Sequence, residues 1–326
     1  MGFIALLFSC DDNPLDIDVS QVQVDLKVQR FDQDLFTTGT AISPESAKQL
    51  QENYGTFFQD FTMNIINIGD IRSPEAQYHL NAFVNDQYIL EIKSKSDALY
   101  RDFTPYTNQL TDAFKHYKHY FPKRKTPKII TYISGYNYAI VTDEQYLGIG
   151  LDMFLGAKHD AYAKLGLPKY KSDFMTPDYL VSGAMLGWVS TEFELDNNQA
   201  DLLTEMIHQG KILYLLDALM PEASNSVKIN YTQEQLDWCE ANAEAMWFYF
   251  IDNELLYTKT MADIAKYMGE APFIQGFPDG SPGRVGHWIG WQIVKAYMKQ
   301  QPNTTLEQLM QNNNAQEILT KSKYKP

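Results

Sequence analysis

The groups with which this chain could do chemistry are 6 histidines, 41 carboxylates and 2 cysteines, and their spacing excludes more reactions than it suggests. No histidine stands in a His-Glu-x-x-His pattern, in which two imidazoles one turn apart hold zinc and the glutamate activates water. His116 and His119 lie three residues apart on a helical stretch and could share a metal, but Lys115 and Lys118 beside them repel a cation. The pair reads instead as an exposed basic helix end. The glycines of Gln275 to Gly290 (Gly276, Gly280, Gly283, Gly286 and Gly290) suggest a phosphate loop, yet no Gly-Lys-Ser/Thr follows and no strand precedes. They are better suited to a turn and to close helix packing, with Gly286 and Gly290 on the helix face that also presents His287. No Gly-x-Ser-x-Gly elbow occurs. Glu192, Glu194 and Glu205 offer an acid/base pair, although a chain with 41 acids produces such neighbours by chance. Cys239, with no histidine near it in sequence, reads as a buried structural thiol. The expectation is therefore no catalytic set, no metal and no cofactor.

The other cysteine has a different setting. The chain opens Met-Gly-Phe-Ile-Ala-Leu-Leu-Phe-Ser-Cys, with Leu7 and Ser9 leading to Cys10, and switches at once to Asp11, Asp12, Asn13 and Pro14. An apolar run ending in a small residue and then Cys is the pattern of a bacterial lipoprotein signal, in which the cysteine thiol carries the lipid. The run is shorter than usual and lacks a basic start. This reading divides the chain into a shortened signal peptide (residues 1–9), a lipidated Cys10 with an acidic tether (10–20), and one domain (21–326). No later segment reaches the roughly 18 apolar residues of a spanning helix, so the acyl chains would be the membrane anchor.

The elements that must position any site follow from periodicity. Val22, Val24, Leu26 and Val28 alternate with polar residues as in a half-buried strand. Ser43-Pro44-Glu45 starts a helix running to Phe61, and helical pattern continues through Phe103 and Leu110 to Tyr120. A strand is predicted over Ile129 to Val141, and a second, at hairpin spacing, over Tyr146 to Leu155. Five helices then follow: Tyr179 to Glu192, Gln199 to Leu219, Gln233 to Tyr257, Pro282 to Gln301, and Leu306 to Leu319, the last capped by Thr304 with Glu307. Strands and helices are segregated, which predicts an α+β fold: one mostly helical domain with a small mixed β-sheet. The 27 Lys+Arg against 41 Asp+Glu give a net charge of −14, which argues against nucleic acid as a partner. A basic island (Lys115, Lys118, Lys123, Arg124, Lys125, Lys128) interrupts this acidity, as a solvated helix end or as a docking patch.

Several stretches together carry a resemblance. Cys10, Arg30-Phe31-Asp32-x-Asp34, Leu147-Gly148-Ile149-x-Leu151-Asp152-Met153-Phe154-Leu155-Gly156, Leu165-Gly166-x-Pro168-x-Tyr170 and Glu205-Met206-Ile207-x-x-Gly210-Lys211-x-Leu213-Tyr214 resemble the gliding-motility lipoprotein GldB family of Bacteroidetes over nearly the whole chain. The resemblance implies a cell-envelope lipoprotein, at the outer membrane or a periplasmic face, required for gliding and working with gliding and type IX secretion envelope proteins. It implies no established enzymatic activity.

The order of elements is also similar, more distantly, to gluzincin-type metalloproteases. That likeness implies a degenerate, metal-free zincin-like scaffold: the helix Leu180 to Trp188 bears no ligand, and Gln209 stands before Gly210 where a carboxylate is expected. Trp188, His208, Gln209, Gly210, Lys211, Leu151, Asp152 and His287 would then surround the remnant groove as candidate partner-binding residues. Tyr146 to Leu155 would serve as an edge strand able to pair with an extended peptide. The alternative function is an envelope-tethered hydrolase or peptide-binding lipoprotein that uses this groove.

Cys10→Ser should abolish incorporation of a labelled fatty acid and leave the protein soluble. Continued labelling would show that the thiol is not the attachment point.

Overall fold

The apolar runs at 128–132 and 146–150 have to be covered on both faces, and their surroundings show how. In the computed structural model, which describes residues 14–37, 41–195 and 200–326, four strands occur: β1 (Val28–Arg30), β2 (Lys128–Tyr132), β3 (Ile140–Thr142) and β4 (Tyr146–Gly150). Cys10 and the residues before it lie outside the described residues. The sheet order is β1-β2-β4-β3, with β1, β2 and β4 parallel and β3 antiparallel to β4. Successive residues point to opposite faces. Ile129, Leu147 and Ile149 join the large helical core that contains most of the C-terminal half. Ile130, Tyr132 and Tyr146 enter a second core of N-terminal helices. The fold is α+β, mostly helical, with this small mixed sheet between two helical layers.

The second core is built on aromatic rings. Phe31 packs against Tyr54, Phe57, Phe58 and Phe61 at centroid separations of 4.8–5.9 Å. Its neighbours in the Arg30-Phe31-Asp32-x-Asp34 motif tie it down. The Arg30 guanidinium forms a fork to Asp32 at 2.9 and 2.8 Å, and Thr131 on β2 donates to the same carboxylate. Asp34 accepts from the Tyr54 hydroxyl at 2.6 Å. The motif thus joins β1, β2 and the first helices.

Departures from the predicted elements have local causes. Alternation holds from Val22 to Val28, but the strand is confined to Val28–Arg30, the ladder with β2 beginning where the Lys27 carbonyl accepts from the Ile129 N–H. The strand predicted to Val141 stops at Tyr132, since Gly135 (φ 77°) and Tyr136 (φ 70°) turn the chain in the left-handed region. The hairpin turn at 143–145 is present, with β3 as its short first arm. β4 therefore lies between β2 and β3, not at an edge, and its N–H and C=O groups are already paired on both sides. This corrects the expectation that Tyr146 to Leu155 could take up a peptide by strand addition.

The helix expected over Gln233 to Tyr257 breaks at Asn242 into Gln233–Ala241 and Ala243–Asp252. The helix expected from Pro282 starts at Val285, and the late capping box is Thr305 with Gln308, one residue beyond the predicted pair. The long helix Leu202–Leu219 packs against Val285–Gln300, Leu180–Glu192, Thr104–Tyr120 and Ala315–Ser322, so the large core is arranged around it.

Candidate functional site

Leu202–Leu219 has 14 buried residues out of 18, so most of its surface is taken up by packing. Its closest partner is Val285–Gln300. A Cβ added to Gly290 would stand 1.7 Å from the Met206 carbonyl oxygen, and one added to Gly210 would stand 2.3 Å from the Gly290 carbonyl. The two backbones touch where ordinary helices are held 8–10 Å apart by side chains. Only glycine at both positions permits this, which gives a packing reason for Gly210 in the Glu205-to-Tyr214 motif and for Gly290.

The remaining candidates lie around this crossing or deeper in the core. His208 is buried, and burial lowers its pKa to about 4 with Lys211 adding to the shift. His287 is held near 3, first by burial and then by Arg284, and its Nε2 donates to the Met268 carbonyl at 3.1 Å. Both imidazoles are neutral near pH 7 and face packed helices. Lys211 donates from Nζ to the carbonyls of Met310 at 3.2 Å and Asn312 at 3.0 Å, capping the helix Leu306–Gln311, while burial lowers its pKa to about 8. Gln209 is half-buried. Trp188 is 1% exposed beside Phe114, at a ring separation of 6.3 Å.

Leu151 and Asp152 lie in another part of the core. The Asp152 carboxylate accepts from the backbone N–H groups of Ser134 (3.1 Å) and Tyr136 (2.7 Å) and so fixes the left-handed loop after β2. Burial raises its pKa to about 6 against the opposing pull of those N–H groups. The structure thus brings His208, Gly210, Lys211 and His287 together at one helix interface, while the Asp152 carboxylate is engaged by the loop after β2. Among the described residues, no three His, Cys, Asp or Glu are grouped to hold a metal ion. His116 is buried and bonded to the Asp112 carbonyl at 3.0 Å while His119 is exposed, so the two do not converge. In the basic island, Lys118 folds back onto the Pro122 and Arg124 carbonyls, and Arg124 pairs with Glu192 at 2.5 Å. Cys239 is buried in the large core, where burial pushes the thiol pKa up.

The strongest concentration of buried charge carries no motif. Asp217, near the end of Leu202–Leu219, accepts from Lys228 at 3.1 Å and from the Trp291 indole at 2.8 Å, with Lys295 at 3.5 Å. Lys295 also sits 3.5 Å from the centroid of the Trp291 ring. Asp217, Lys228 and Lys295 line a cavity of about 860 Å³, together with Tyr120, Tyr214, Lys299 and the chain at Pro14, Leu15 and Ile17. A carboxylate held by two ammonium groups and an indole N–H is neither a free base nor a nucleophile. Its effect is to hold two lysines at the wall of a cavity. The sequence signal is a lone acid inside the apolar run Ile212 to Met220, a placement expected only for a paired charge.

Two outcomes test this geometry. Gly290→Ala should destabilise the fold by about 3 kcal/mol or more, because the obstruction is backbone. Gly183→Ala, whose Cβ would meet Phe154 at an ordinary 3.7 Å, should be neutral or slightly stabilising in chemical denaturation. Equal effects would refute the contact at Gly290. For the histidines, the folded pKa lies below the ordinary 6.5, so the unfolded chain binds protons first and the stabilisation, complete above 6.5, is lost as pH falls towards about 4 and 3. His287→Gln should flatten the fall in Tm over that window, and an unchanged slope would contradict its neutral burial.

No curated protein and no solved structure matches the chain. A family model does, at residues 12–326, nearly the full length that carries the helix pair, the sheet and the charged cavity. Its description is gliding motility protein GldB, and the chain belongs to that family.

Proposed function

We propose that this protein is a lipid-anchored cell-envelope component that supports assembly or stability of the gliding and type IX secretion machinery through protein contacts. Family membership over residues 12–326 carries the motility role. The family model's name, GldB_lipo, and the Cys10 pattern favour lipid anchoring, and among the described residues no helix is long and apolar enough to cross a membrane.

The contact reading rests on how polar groups and apolar surface are distributed. The candidate His and Lys side chains of the helix crossing serve internal hydrogen bonds and packing. Large apolar groups, in contrast, stand in solvent: Phe248 and Ile251, one turn apart on Ala243–Asp252, are 51% and 43% exposed, and Met261 is 77% exposed. Apolar side chains grouped on a helix face suit a protein partner, because their burial on association is favourable by about 25 cal/mol per Å².

In cells lacking this protein, the wild-type gene should restore spreading and a Phe248→Asp/Ile251→Asp variant should not, at equal protein level and Tm. Co-purification of crosslinked envelope proteins should be lost in parallel. Normal gliding by the double variant would remove this face as the contact surface, and normal gliding without the protein would remove the motility role itself.

A further inference from the structure

The cavity beside Asp217 has a composition that neither packing nor partner contacts require. Three lysines line it, the buried Lys228, the partly buried Lys295 and the exposed Lys299, against the single carboxylate of Asp217, an excess of two positive charges among the lining side chains. Glu240, whose charge reaches Lys295, is exposed and does not line the cavity. The whole chain carries −14, so this is a local reversal of sign.

Lys228 is 3% exposed and Lys295 retains 32% of its side-chain surface. Holding such cations out of water is unfavourable unless an anion shares the space. Asp217 is committed at both oxygens, to Lys228 on one and to Trp291 and Lys295 on the other. The lining also has an apolar part: Leu15, Ile17, Met298, Pro302 and Leu306. A volume of about 860 Å³ lies within the range of small-molecule sites, roughly 300–1,000 Å³.

We infer that this cavity binds an amphipathic anion, a single carboxylate or phosphate head on an apolar chain, with the head at Lys295 and Lys299 and the chain against Leu15, Ile17, Met298 and Leu306. The inference is independent of the partner surface proposed above. Two features favour this class over a small inorganic anion. The lining holds three cations, the hydroxyl and amide groups of Tyr120, Tyr214, Asn225, Thr304 and Thr305, and an apolar set (Leu15, Ile17, Met298, Pro302, Leu306) that a compact, fully hydrated ion would leave unused. The segment Pro14 to Ile17 closes the rim, four to seven residues after Cys10, so a lipid anchor there would hold the opening near a membrane surface.

The test uses the full chain carrying Cys10→Ser, purified without detergent, titrated by calorimetry with decanoate, decyl phosphate, decanol, acetate and inorganic phosphate. Decanoate or decyl phosphate should bind saturably and raise Tm, and the tighter of the two identifies the head group. Decanol, acetate and inorganic phosphate should each bind at least about tenfold more weakly. The Lys295→Gln/Lys299→Gln variant leaves Asp217 paired with Lys228 and Trp291, so it should keep its fold and lose about tenfold in affinity for the charged probe. The inference is overturned if no probe binds, if decanol matches the anions, if inorganic phosphate matches decyl phosphate, or if the double variant binds like the parent.

Discussion

The larger core of this protein is built around the backbone contact between Leu202–Leu219 and Val285–Gln300. Gly210 and Gly290 bring the two helices closer than side chains would allow, and this fixes which residues can surround them. Burial around this crossing lowers the pKa of His208 and His287, and Lys211 finds its acceptors inside, at the end of Leu306–Gln311. The same approach sets Trp291, one residue after Gly290, against Asp217, so the buried ion cluster is a product of the crossing. A buried carboxylate of this kind would be costly alone. It is tolerated because two ammonium groups and an indole N–H satisfy it.

The sheet plays the complementary part. It is small, but both of its faces are covered, and it joins the aromatic core around Phe31 to the helical core around Leu202–Leu219. Arg30 on β1 and Thr131 on β2 both donate to the Asp32 carboxylate, which ties the strand pair to the first helix. Asp152 makes a second tie by holding the loop that separates β2 from β3. Residues that stand out in the sequence as motif members are therefore mostly joints between elements.

The α+β class and most helices were legible because hydrophobic periodicity reports burial directly. Strand ends were not, since pairing depends on what a neighbour offers: Val22 to Leu26 alternate correctly but meet no partner, and β4 became central once β3 folded back onto it. Likewise Asn242 interrupts a continuous apolar pattern that gives no sign of a break. The glycines at 286 and 290 were correctly read as packing residues, whereas Asp217, Lys228 and Lys295 were invisible as a group. They come from three segments and are joined only by the tertiary fold. The residues expected around a groove did converge in part, at His208, Gly210, Lys211 and His287, but inside a helix interface.

For this member of the gliding motility protein GldB family, the proposed ligand cavity and the proposed partner face draw on residues other than the two glycines of the crossing. The central claim is that the glycine-mediated helix pair is one rigid unit on which both depend. Native-state amide hydrogen exchange measures this directly. Amides of Leu202–Leu219 and Val285–Gln300 should exchange slowest in the protein and with a common free energy equal to that of global unfolding. Exchange of either helix through local opening, well below that global value while the other stays protected, would contradict the account.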